Sequence, residues 1–254
     1  MMRLRYISDL HLEFIRPQNI QQFLKKITPG PSEVAILAGD IGNPRQPNYD
    51  LFMKYMSTNF KKTFVIAGNH EYYCLEPRKY TIEETDAYLK DYFQRYDNIR
   101  FLNNSVENYE GKCFIGTTLW SKISRRDYAT NDVDCIPGLD RKKYNQLNLQ
   151  CIDFINTSLR NPDNKECIVM THHLPSLSLI DPKYKTSKLS HYNEWFYCDM
   201  DDTIKTHNAK INCWFYGHTH TANKTNIGKT IMACNPIGYP GENDDQDFNA
   251  IIEI

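Results

Sequence analysis

No C-x-x-C pair occurs among the eight cysteines, which are scattered from Cys74 to Cys234. That spacing lacks the signature of zinc ribbons and dithiol redox sites, and it argues against a disulfide framework. Cysteines lie inside strand-like runs, as in Lys112-Cys113-Phe114-Ile115 and Glu166-Cys167-Ile168-Val169. They read as buried free thiols that pack as small hydrophobes. Long apolar runs are missing as well. The longest, such as 34–38 and 64–67, have strand length, far short of the ~20 residues a bilayer span needs. Arg3, Arg5 and Asp9 break up the N-terminal stretch, so it does not read as a signal peptide. The expectation is a cytoplasmic location with no membrane partner. An excess of charge is also missing: the formal net charge is −1. Without a positive field to hold a polyanion, long nucleic acid is a poor partner. There is no internal repeat and no low-complexity segment.

What remains is an ordinary globular composition, 41% hydrophobic and 24% charged, which excludes wholesale disorder. The 254 residues suffice for one substantial α/β domain or two small ones. The polar stretches 161–165 and 241–247 are too short to be linkers between domains. Strands are expected at 4–8, 34–38, 63–67, 100–102, 113–119, 167–171, 213–216, 230–233 and 248–252, from their Val, Ile, Phe and Tyr content. Helices are expected at 19–27, 81–96 and 144–159. Each carries an apolar stripe, and Thr81 with Glu84 matches a capping box. Strand–helix alternation points to a layered α/β fold. The last three strands lack helices between them, which suggests antiparallel pairing there. Residues 175–195 show no period and read as an excursion above the core.

The residues that carry chemistry sit where apolar runs stop. Run 4–8 ends at Asp9-Leu10-His11, 34–38 at Gly39-Asp40, and 63–67 at Gly68-Asn69-His70-Glu71. Run 167–170 ends at Thr171-His172-His173, and 214–216 at Gly217-His218-Thr219-His220. Strand ends are where α/β sheets bind ligands, because the sheet fixes the position while the loop is free to vary. This mixture of carboxylate, amide and imidazole donors suits Mn²⁺, Fe²⁺ or Zn²⁺ better than Ca²⁺. In extended backbone, residues i and i+2 face one side, so Asp9 with His11, and His218 with His220, are each expected to converge. Glycines 39, 68 and 217 are expected to let the chain turn tightly beside them. Singly, such residues are turn, cap or solvated loop residues. Five such blocks at successive strand ends point to a metal site.

In order, Asp9-x-His11, Gly39-Asp40, Gly68-Asn69-His70-Glu71, Thr171-His172 and Gly217-His218-x-His220 make the chain resemble the calcineurin-like metallophosphoesterases. The resemblance implies an α/β fold, a four-layer αββα sandwich of two mixed β-sheets flanked by helices, with the metal site at one edge. It implies a single domain over 1–254. It also implies two divalent metal ions, Mn²⁺ before Fe²⁺, Zn²⁺, Ni²⁺ or Mg²⁺. Asp9, His11 and His220 would hold the first, and Asn69, His172 and His218 the second, with Asp40 bridging. His172, rather than His173, takes the ligand position. His70 would stand beside the phosphate as acid or electrostatic partner, and Glu71 would orient a neighbour. The implied activity is hydrolysis of a small phosphate ester by a metal-bridging hydroxide. The charge count agrees: two divalent ions, two aspartates and one hydroxide leave about +1 to attract a phosphate.

Phosphomonoesterases often grip the dianion with arginine forks. Here Arg16, Arg45, Arg78, Arg125 and Arg126 are only scattered candidates, which favours a phosphodiester. A phosphomonoester, or a non-catalytic metal-binding scaffold, is the alternative. Tyr72 and Tyr73 read equally as pocket wall or packing, and His191 and His207 as surface or packing residues. The run Asn235-Pro236-Ile237-Gly238-Tyr239-Pro240 resembles a C-terminal segment of some family members, and its Gly and Pro content suggests a rigid turn near the site.

Overall fold

A computed structural model describes residues 1–74, 79–124, 130–186, 188 and 190–254. Its strands are β1 (Arg3–Ile7), β2 (Gly30–Ala38), β3 (Phe60–Ile66), β4 (Ile99–Phe101), β5 (Ser105–Tyr109) and β6 (Lys112–Gly116). They continue with β7 (Cys167–Met170), β8 (Ile211–Tyr216), β9 (Asn223–Ile227), β10 (Thr230–Cys234) and β11 (Ile251–Glu253). One sheet runs β11-β1-β2-β3-β4, the other β5-β6-β7-β8-β10-β9. Both are mixed. β1 through β4 are parallel with β11 antiparallel at the edge. In the second sheet β6, β7, β8 and β10 are parallel, between antiparallel β5 and β9.

The side-chain period of two explains the middle of the sandwich. Leu4 and Tyr6, Val34 and Ile36, and Phe64 and Ile66 leave the first sheet on one face. They pack with Phe114, Ile168, Met170, Cys213 and Phe215 of the second. Phe64 stacks on Phe114 across the gap at 3.9 Å between ring centroids. The residues in between face outwards. Leu37, Val65, Ile115, Val169 and Trp214 join a larger cluster with the helices. Those helices are α1 (Ile20–Leu24), α2 (Pro47–Asn59), α3 (Ile82–Phe93), α4 (Asn131–Cys135), α5 (Arg141–Arg160), α6 (Pro182–Lys185) and α7 (Asp201–His207). The layer order is therefore the expected helix–sheet–sheet–helix sandwich. The capping box is present: Thr81 accepts from the Glu84 backbone, and Glu84 accepts from the Thr81 backbone.

Three expectations need correction. Strand β10 pairs parallel with β8, not antiparallel. The polar strand β9 turns back into β10, so the chain re-enters beside β8 in the same direction. β5 and β9 were not expected, because SVENY and NKTNI have no apolar alternation; as edge strands they bury little. α2 was also not expected, although Pro47 at its first turn is a start signal. Among the described residues, no helix is long and apolar enough to cross a membrane. All eight cysteines are free, six of them buried and Cys74 and Cys135 partly so.

Candidate metal centre

Because β1, β2, β3, β7, β8 and β10 run parallel within their sheets, the loops leaving them gather at one edge of the sandwich. Backbone hydrogen bonds stitch these loops together. Asp9 N–H donates to the Gly39 carbonyl, His11 N–H to Asp40, Gly217 N–H to His172, and Gly238 N–H to Asp9. The seven expected ligands meet there in two adjoining groups.

In the first group, His11 Nε2 lies 3.0 Å from His220 Nε2, and His220 Nε2 lies 3.5 Å from Asp9 Oδ1. In the second, His172 Nε2 lies 3.3 Å from Asp40 Oδ2 and 3.0 Å from Asn69 Oδ1. His218 completes it: donor atoms of Asp40, His172 and His218 all fall within 4.8 Å of one another, as do those of Asp9, His11 and His220. His218 and His220 thus part company, one to each group. Asp9 spans the seam, accepting the His218 backbone N–H at 2.9 Å.

The imidazoles are aimed by their other nitrogens. His172 Nδ1 donates to the Ala38 carbonyl at 2.9 Å and His220 Nδ1 to Glu242 at 2.7 Å. His11 Nδ1 lies 3.4 Å from Glu13. Since these oxygens only accept, Nδ1 carries the proton and Nε2 is left facing the cluster, the arrangement of metal-binding histidines. Asn69 is aimed likewise. Its Nδ2 donates to Asp132 at 2.9 Å, which turns Oδ1 inwards.

The local charges agree with a site built for cations. Burial pushes the Asp40 carboxyl up, yet His172, His70 and His11 hold it well below the usual carboxylate range. Asp9 is likewise lowered against burial by its hydrogen bond to His220. Burial pulls His172 and His220 down, but Asp40 and Asp9 raise them to about 10 and about 9. The carboxylates thus demand positive charge, and divalent ions would supply it in place of protons. Donor types, convergence and fixed tautomers together fit transition-metal binding.

His70 Nδ1 is 2.8 Å from Glu13 Oε1, and its Nε2 is 3.2 Å from the Tyr239 hydroxyl. Its own backbone N–H donates to Asp40 at 2.8 Å. Burial lowers its basicity, but Asp40 and Glu13 outweigh this and raise it above the ordinary 6.5. Glu71 accepts backbone N–H bonds from Asp40, Ile41, Gly42 and Gly68, so it anchors two loops rather than a side chain. Burial and Asp40 push it up to about 7. His173 turns away to the Tyr144 hydroxyl at 3.0 Å.

The route to convergence differs from the one expected. Asp9, His11, Asp40, His218 and His220 all have left-handed backbone, with φ between 48° and 67°, so the i, i+2 pairs are not extended. The glycines also serve another purpose. A Cβ on Gly68 would lie 2.2 Å from Asp40 Oδ1, and one on Gly217 2.8 Å from Asp9 Oδ2. Only Gly39 among the three has positive φ, at 87°.

A cavity of about 460 Å³ opens from the cluster. Its walls come from the loops of Asn69–Tyr73, from Thr130 to Asp132, from the excursion between Ile180 and Phe196, and from Tyr239 and Glu242. Among the described residues no arginine or lysine lines it. Arg45 lies over the rings of Tyr80 and Tyr88 instead, and Arg16 is exposed. Arg78, Arg125 and Arg126 lie outside the described residues. Tyr73 lines the cavity, while Tyr72 is buried and donates to Asp86. His191 packs on Tyr192, and His207 ends α7. The 235–240 segment does turn at the site: Tyr239 stacks on His11 at 4.3 Å between ring centroids. Sequence reasoning missed Glu13, Asp132, Glu242 and Trp195. Glu13 continues the Asp9-x-His11 alternation and carries a signal; the others lie far along the chain and carry none.

The chain matches the family model of calcineurin-like phosphoesterases over residues 2–222. It is 34% identical over 276 residues to an uncharacterized protein of Acanthamoeba polyphaga mimivirus, covering 99% of this chain and 96% of that one. Its fold is similar to that of the phosphopantetheinyl hydrolase PptH of Mycobacterium tuberculosis, with TM-score 0.75 at 15% identity over 98% of this chain and 95% of that one. It is also similar to GAP50, the anchor in the inner membrane complex of Plasmodium, with TM-score 0.51 at 12% identity over 96% and 76% of the two chains. With its ordered motifs, its two mixed sheets between helices and the family match over most of its length, the chain belongs to the calcineurin-like phosphoesterases, and is a metal-dependent phosphoesterase.

Proposed function

We propose that this phosphoesterase is a two-metal phosphodiesterase acting on a small ester, with Mn²⁺ as its working ion and residues 1–254 as one domain. Asp9, His11 and His220 would hold one ion and Asn69, His172 and His218 the other, with Asp40 shared by both. The observation that carries this reading is the set of Nε2 atoms of His11, His172 and His220, each left facing the cluster by an Nδ1 turned to another acceptor. When bound, two divalent ions lower the pKa of a shared water and neutralise phosphoryl oxygens.

The chain's own residues supply the rest. Asn69 donates an oxygen without adding charge, so the site keeps its attraction for a phosphate. His70, held by Glu13 and Asp40, keeps a proton available for the leaving oxygen. The described cavity walls offer no guanidinium for the second charge of a monoester, which supports the diester. β11, beyond the family match, pairs with β1, which supports one domain.

The test is hydrolysis by protein stripped of metal and reloaded with Mn²⁺. Bis-p-nitrophenyl phosphate is expected to turn over faster than p-nitrophenyl phosphate, and neither without metal. Preference for the monoester would make this a phosphatase. Turnover undiminished by chelation would sink the metal assignment.

A further inference from the structure

Residues lining the cavity beside the metal centre carry polar groups that the proposed reaction does not use. Trp195 is 4% exposed, lines the cavity, and its Nε1–H has no hydrogen-bond partner among the described residues. Thr130 lines the same space, and its buried Oγ1 is also unpartnered. Buried donors are almost always paired, and an indole N–H can only donate. Besides Asp40, the two carboxylates at the wall are already engaged. Asp132 accepts from Asn69 and Tyr73, and Glu242 from His220 and the Tyr239 backbone.

Aromatic rings lead from the metal centre towards these free groups. Tyr73 stacks on His70 at 4.1 Å and Phe196 lies 4.8 Å from His218, both between ring centroids. Trp195 and Phe196 come from the stretch between Pro175 and α7, whose described residues include no metal-ligand candidate. A volume of about 460 Å³ falls within the range of small-ligand pockets.

We infer that this cavity binds the organic group of the ester, and that it selects a planar ring bearing a hydrogen-bond acceptor, which stacks on the aromatic wall and pairs with Trp195 Nε1–H. This rests on the phosphoesterase reading above and names the class of ester: one whose alcohol is of nucleoside size and type, rather than a short alkyl group. Base–aromatic stacking supplies attraction tolerant of which ring is present, and the buried N–H supplies the discrimination.

Two diesters with one leaving group and equal charge test it: the p-nitrophenyl ester of thymidine 5′-monophosphate, and methyl p-nitrophenyl phosphate. The nucleoside ester is expected to have the higher kcat/KM, by about tenfold or more, mainly through KM. Trp195→Phe keeps a ring and removes the N–H, and is expected to shrink that ratio. Thr130→Val, which leaves the tryptophan in place, repeats the test should Trp195→Phe fold poorly. Calorimetric binding of free thymidine to metal-free protein gives a readout independent of turnover. Equal kcat/KM for the two esters, or a ratio unmoved by both substitutions, overturns the inference and leaves the phosphoesterase reading standing. No turnover of either ester by metal-loaded protein counts against that reading instead. Thymidine binding that weakens in Trp195→Phe then supports the cavity assignment, and absence of binding overturns it.

Discussion

His70 belongs to a third possible donor set, with His11 and Glu13, so its role divides between ligand and acid. Its Nδ1 is taken by Glu13 at 2.8 Å, and its Nε2 lies 3.2 Å from the Tyr239 hydroxyl. That geometry favours the acid. His70→Ala is expected to lower kcat by about 10²–10⁴-fold, most for esters with poor leaving groups, with metal content retained. Elemental analysis of the purified variant checks this; loss of metal together with activity would make His70 a ligand. The residue-level site was largely legible beforehand. Asp9, His11, Asp40, Asn69, His172, His218 and His220 each follow a strand directly, so a short-range signal marks them. The groups that aim them do not. Asp132 meets Asn69 across 63 positions of chain, and no local pattern announces such a contact.

Gly68 shows how the loops, rather than single side chains, set the cluster. Its φ is not positive, yet an added Cβ would fall 2.2 Å from Asp40 Oδ1 and 2.8 Å from His172 Cδ2. Gly68→Ala must therefore push the β3 loop away from the β2 loop. It is expected to cost about 1–3 kcal/mol of stability and to weaken metal retention. Urea denaturation and metal analysis test it, and wild-type values in both would contradict the close approach. Five candidate ligands also stand in left-handed backbone, a conformation that disfavours L-residues by about 1–2 kcal/mol each. Glu71, bonding the backbone N–H groups of Asp40, Ile41, Gly42 and Gly68, helps hold Asp40 there. At this scale the strands with apolar alternation and the striped helices could be read in advance. The edge strands β5 and β9 could not, because neither contains a fully buried residue to impose an alternating pattern. The parallel pairing of β8 with β10 was hidden for the same reason, since β9 makes the return.

Across the whole molecule, stability comes from two apolar layers, one between the sheets and one beneath the helices. Tyr6 and Cys213 belong to the inner layer. Burial pushes the Tyr6 hydroxyl up from 10 to about 12, and the Cys213 thiol up from 9 to about 12. Both groups fold neutral, so the unfolded chain releases their protons at lower pH. Their contribution is complete below pH 9. It falls away for the thiol from pH 9 and for the phenol from pH 10, until pH passes about 12. The melting temperature is expected to drop across that window, and less steeply in Tyr6→Phe. A flat profile to pH 11.5 would mean that these groups are not buried as described.

The sequence by itself determined the family, the layered α/β class, the order of the ligand blocks and the neutrality of the chain. These depend on residues adjacent along the chain, on period-two alternation and on composition. Only the tertiary structure decided the left-handed backbone by which His218 and His220 part to the two groups, and the Tyr144 hydroxyl to which His173 turns. It also decided which carboxylates aim the imidazoles and what lines the cavity. Each of these turns on contacts between loops brought together by parallel strands from two sheets. Such contacts are distant in sequence and are made where backbone conformation, rather than residue spacing, sets the direction of the side chains.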